Sequence, residues 1–199
     1  MKYTFVFLLL TVFKSGHAQP IIDSFPLPPL TFDAKGELVI TASPTSSASD
    51  FDFFIGKWTL KNKHLNSRLT NCKEYTEFEW TAEVTRILEG IGNTDVARRI
   101  VDGKPWEGRT IRIFDTQSKL WRLYWVDSNS GQLDPPVVGS FQNNIGLFFC
   151  KDMWKGRPVI VVFKWDKTNP ENPRWSQAFS DDNGKTWEWN FTNTSYRIR

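Results

Sequence analysis

The 199 residues hold ten tryptophans and sixteen phenylalanines against two histidines and two cysteines, enough for one aromatic-rich core and little for a metal centre. The formal net charge of +3 falls to +1 once residues 1–18, which carry Lys2, Lys14 and no acid, are set aside. Charges of both signs are then interspersed, which excludes the basic stripe of a nucleic-acid binder; His64 is left as the last histidine, which excludes a His-pair metal site.

Residues 1–18 read as a secretory signal peptide: Lys2, an apolar run from Tyr3 to Phe13, then Ser15-Gly16-His17-Ala18 before the cut. The run is shorter than the about 20 residues a membrane helix needs. No cysteine follows the cut directly and no later stretch approaches spanning length, so the expectation is an exported, periplasmic or extracellular protein with no membrane span after cleavage. Residues 19–49 are rich in Pro, Ser, Thr and Ala, too poor in apolar surface to order themselves fully. They read as an N-terminal arm or linker, with a short hairpin at Asp33-Ala34-Lys35-Gly36 between Phe32 and Leu38.

From residue 50 to 199 the pattern is β throughout. Phe78, Trp80, Ala82 and Val84 alternate with Glu77, Glu79, Thr81, Glu83 and Thr85, a period of two that marks a strand with one buried and one wet face. Further strands are expected at Arg109–Phe114, Leu120–Val126, Val137–Phe141, Leu147–Met153, Val159–Trp165, Trp175–Phe179 and Trp187–Ile198, with turn residues between them. Short strands at this spacing, without helical periodicity, predict an all-β fold: a single antiparallel meander barrel of about ten strands.

Two motifs sharpen this. Gly56-Lys57-Trp58 after Asp50-Phe51-Asp52-Phe53-Phe54 resembles the opening of lipocalin-like barrels, in which the Trp plugs the closed end and a C-terminal Arg packs over it. Arg197 and Arg199 are the candidates here. Ser180-Asp181-Asp182-Asn183-Gly184-Lys185-Thr186-Trp187 fits the Asp-box pattern S-x-D-x-G-x-T-W, a hairpin turn with Gly184 at positive φ and Trp187 folded over it. It builds structure and does no chemistry.

Gly131-Gln132-Leu133-Asp134-Pro135-Pro136-Val137-Val138-Gly139-Ser140-Phe141, together with Gly92-Asn93-x-Asp95, Trp125-x-Asp127-Ser128, Gly156-Arg157-Pro158 and Arg174-Trp175-x-Gln177-Ala178-Phe179-Ser180, resembles an uncharacterised family of exported bacterial proteins with a lipocalin-like (calycin-type) barrel. The resemblance spans residues 50–199 and implies the fold without an activity. It covers a cysteine at Cys72 but not at Cys150, so the two are expected to be unpaired.

For function, a solvated His64 in Lys61-Asn62-Lys63-His64 and outward Glu77, Glu79 and Glu83 give catalysis little to work with; a carboxylate hydrolase is the least favoured alternative. No cofactor, metal or catalytic residue is assigned. The favoured reading is a small, partly apolar molecule held inside the barrel, with rings of Trp80, Trp125 and Trp175 as walls. Asn93, Asp95, Arg112, Asp127, Arg157 and Gln177 are the polar candidates. The alternative is a surface module stacking exposed tryptophans on glycan rings.

Overall fold

A computed structural model describes residues 23–199; the expected signal peptide lies outside them. Ten strands follow in chain order: β1 (Gly56–Leu65), β2 (Tyr75–Ile87), β3 (Gly92–Val101), β4 (Lys104–Asp115), β5 (Leu120–Asp127), β6 (Val137–Gln142), β7 (Ile145–Trp154), β8 (Arg157–Asp166), β9 (Arg174–Ser180) and β10 (Glu188–Arg197). Each pairs antiparallel with its chain neighbours, and β10 returns to β1 to close the barrel. The all-β antiparallel meander barrel expected from the sequence is what forms.

Two differences concern strand boundaries. β3 has no counterpart among the expected strands, and β4 begins at Lys104 rather than Arg109. The inward positions of β3 are Asn93, Asp95, Ala97 and Arg99, so its buried face lacks the apolar alternation by which strands are recognised.

One end of the barrel is plugged. A single turn of 3-10 helix, Asp52–Phe54, drives Phe51 and Phe54 into the interior. Phe51 meets Trp121, Phe141 and Trp165 edge to face at 5.0, 5.0 and 5.6 Å, contacts worth about 0.5–1.5 kcal/mol each beyond simple burial. Trp58 is 0% exposed and its indole N–H donates to the Phe54 carbonyl (2.7 Å). Arg197 lies over that indole at 4.1 Å and donates to the carbonyls of Ile55 and Phe53, while Arg199 stays exposed beyond β10. Gly56 has φ +126°, and a side chain there would collide with the Arg197 guanidinium. Of the two arginines proposed from the sequence, Arg197 is the one on Trp58.

At the opposite end the Asp-box forms the β9–β10 hairpin. Asp182 accepts from the backbone N–H groups of Lys185 and Thr186 and from the Thr186 hydroxyl, and Ser180 donates to it. Those bonds, Thr186 first, hold its carboxyl at about 2. Gly184 sits at φ +82°, and the Trp187 indole donates to its carbonyl (3.1 Å). Arg157 does not enter the barrel. It stands exposed at this rim, 3.8 Å from Asp181, because β8 reaches the mouth one inward step before it, at Val159.

Of the two readings of the N-terminal segment, arm or linker, the described residues form an arm. Residues 23–49 are strapped to the outer wall: Leu27, Leu30, Leu38 and Ile40 cover Phe149, Val162 and Ala178 beside Trp187 and Trp189. Phe32 and Leu38 bridge across the expected hairpin. The arm needs no core of its own because the barrel offers it an apolar outer face.

Cys72 and Cys150 are free, as expected.

Candidate functional site

Between the plugged floor and the open mouth lies a cavity of ≈ 370 Å³, within the range that holds small ligands. Its existence follows from residue size. Ala82, Ala97, Gly108 and Thr110 are inward at mid-height on β2, β3 and β4, where larger side chains would meet. A Cβ on Gly108 would collide with the rings of Trp125 and Trp106, so its absence is what lets those rings fold across β4.

Above this level the wall is aromatic. Trp80 and Trp106 stack at 5.2 Å with planes 10° apart, and Trp125 lies 6.4 Å from Trp80 and 6.1 Å from Trp106. On the facing side Trp175 meets Phe163 and Phe191 edge to face at 5.0 and 5.1 Å. The strand parity read from the sequence therefore holds for Trp80 and Trp125, and Trp175 joins them.

The polar candidates divide. Arg112 and Asp95 form a buried ion pair near the floor, 2% and 5% exposed, and Arg112 also donates to Asn93 (2.8 Å). Phe51, Phe54 and Trp165 surround the guanidinium at 5.3–5.4 Å. This group brings Asn93, Asp95 and Arg112 together as a self-neutralised unit. Gln177 lines the cavity and donates to Asn190 (2.8 Å). Asp127 lines it too, but its carboxylate accepts from the backbone of Asn129 and Ser130, capping the turn after β5.

Several lining residues escape the sequence reading. His64 is not a solvated surface residue. It points inward between Phe78 (5.5 Å) and Phe191 (5.8 Å), and Nδ1 donates to the Leu65 carbonyl. Arg68, from the β1–β2 connection, folds into the mouth over Trp154 (4.8 Å) and Phe179 (5.3 Å); burial draws its pKa down, partly offset by Glu188. Arg99 lies over Phe78 (4.2 Å), Trp106 (5.1 Å) and Trp80 (5.8 Å), and burial alone lowers its pKa.

Other ionisable groups define what the site does not use. Burial, then Asp152 and Asp134, pushes the inward Cys150 thiol up to about 12, so it stays protonated and unreactive near neutral pH. At the rim Asp134 is raised by burial and by Asp152 and Asp127. Glu77, Glu79 and Glu83 face outward, paired with Lys63, Lys61 and Lys57 at 3.1, 3.6 and 3.9 Å across the β1–β2 ladder. They stand on the opposite face of the sheet from the cavity.

No protein-family model matches the chain, and a search of curated proteins finds no match.

Proposed function

We propose that this chain is an exported binding protein, of the lipocalin-like kind its sequence resembles, that encloses a small, partly apolar molecule in its barrel. The observation that carries the reading is the ≈ 370 Å³ cavity walled by Trp80, Trp106, Trp125 and Trp175. Such a space combines a large apolar contact area with a few fixed polar groups, which is how small-molecule sites achieve orientation as well as affinity. The alternative of a glycan-stacking surface has less support, since every tryptophan is buried or half-buried.

The test is titration with N-phenyl-1-naphthylamine, a neutral probe whose fluorescence rises in apolar surroundings. The wild-type chain is expected to bind it saturably. Ala97→Leu adds methylenes to a cavity-lining position that is 2% exposed, and is expected to weaken binding at least tenfold while the thermal transition persists. Unchanged binding in that variant would move the probe elsewhere and overturn the reading.

A further inference from the structure

We infer that the cavity selects a planar aromatic carboxylate, its acid group received by the Arg99 guanidinium beside the indole N–H groups of Trp80 and Trp106. The inference rests on the cavity-binding reading above and adds the charge and shape of what is bound.

Charge comes first. Cavity-lining side chains include five buried donor atoms that find no acceptor in the described residues: Nε of Arg99 and Arg112 and Nε1 of Trp80, Trp106 and Trp165. Against them stands one unpartnered acceptor, Asn193 Oδ1. A buried polar atom without a partner is costly, so such atoms in a native cavity mark where a ligand's complementary atoms belong. This wall asks for acceptors.

Arg99 turns that request into one for negative charge. The other arginines of the cavity have acidic neighbours: Arg112 pairs with Asp95, and Arg68 feels Glu188. No carboxylate among the described residues pairs with Arg99, and rim residues Asp127 and Asp134 do not offset the effect of its burial. Its neighbours are ring faces, which offer its N–H groups no lone-pair acceptor. A carboxylate matches a guanidinium better than any neutral acceptor does, through charge-assisted bonds in a shared plane.

Position and shape follow from register. Arg99 pairs with Trp106 across β3 and β4, and the Trp106 ring stacks on Trp80 at 5.2 Å. The three unpartnered groups thus sit on adjoining side chains. The groups around them are planar: Trp80 and Trp106 stack on each other 10° from parallel, Arg99 lies over Phe78 at 4.2 Å, and Trp125 lines the same wall. Flat ring walls favour a flat partner, stacked face to face with offset, over a flexible chain.

Isothermal titration with 2-naphthoate, 2-naphthylmethanol and decanoate tests both parts. In the wild-type chain 2-naphthoate is expected to bind at least about tenfold tighter than the neutral alcohol, the effect of one charged hydrogen bond, and tighter than decanoate. Arg99→Gln should abolish the preference for 2-naphthoate while still admitting the alcohol, and Arg99→Lys should keep part of it. Equal binding of acid and alcohol, or an Arg99→Gln variant that keeps the preference, overturns the charge assignment and leaves the cavity reading standing. Decanoate binding tighter than 2-naphthoate overturns the planar assignment. If no compound binds, or if Ala97→Leu binds all three as the wild type does, the cavity reading falls and takes the inference with it.

Discussion

Replacing Asp95 by Ala is expected to lower the unfolding free energy by about 3–5 kcal/mol, the cost of stranding a buried charge whose partner has been removed. Arg112 lines the bottom of the cavity but is only 2% exposed, packed among Phe51, Phe54 and Trp165, so little of its guanidinium meets water. Its remaining side-chain partner would be Asn93, while Nε already lacks an acceptor. Attraction between the two charges is not what makes the variant costly; the uncompensated cation is. That distinction has its own signature. Exchanging both members together, Asp95→Leu with Arg112→Met, should recover most of the loss, because an apolar pair of similar size needs no compensation. Urea unfolding with an unchanged m-value measures both variants. A single variant within about 1 kcal/mol of wild type would mean that the cation is hydrated or otherwise paired.

The barrel was legible in the sequence wherever its inner face is apolar. Trp80 and Trp125 could be placed inward because each continues a run of alternating apolar residues, 78–84 and 121–125, and both line the cavity. The same rule hid β3, whose inner face reads Asn93, Asp95, Ala97 and Arg99. A strand that carries a polar site loses the hydrophobic period that would reveal it, so the most informative strand is the least visible. Arg99 is masked by Arg98, which faces out and pairs with Glu107. Trp106 lies three residues before the point where β4 becomes recognisable. His64 follows Lys61 and Lys63, and only the register of β1, with His64 opposite Thr76 and Phe191, shows that it alternates with them and faces inward. Arg68 reaches the mouth through contacts with Trp154 and Phe179, far away in the chain, and no local pattern encodes such a contact. Arg157 shows the converse error: it has the right parity and stands one step too far along.

The arm supplies a second large expected effect. Asp23 accepts from Lys164 (2.8 Å) and from the Ser176 hydroxyl (2.7 Å), with its side chain 7% and that of Lys164 6% exposed. Burial opposes the ionised carboxyl, but the bonds from Lys164, Ser176 and the Phe25 backbone outweigh it and bring its pKa below the ordinary 3.8. Asp23→Ala would leave the Lys164 ammonium under the arm without its anion, at a cost of about 3–5 kcal/mol if the arm stayed docked. The arm has an escape the floor pair lacks. It can lift, letting Lys164 hydrate, so the loss is capped at what the apolar contacts of Leu27, Leu30, Leu38 and Ile40 are worth. The expected result is therefore local: backbone exchange across residues 23–40 at least about tenfold faster, with the barrel strands protected as before. Acid should reproduce it in the wild type. A carboxyl with a depressed folded-state pKa contributes its full stabilisation above its unfolded value, and that contribution is lost as pH falls through the folded one. Once corrected for intrinsic rates, exchange of the wild-type arm should thus accelerate as pH drops below 3.8, while that of Asp23→Ala should lack this step. Equal protection in both chains at neutral pH would show that the apolar contacts hold the arm without the ion pair.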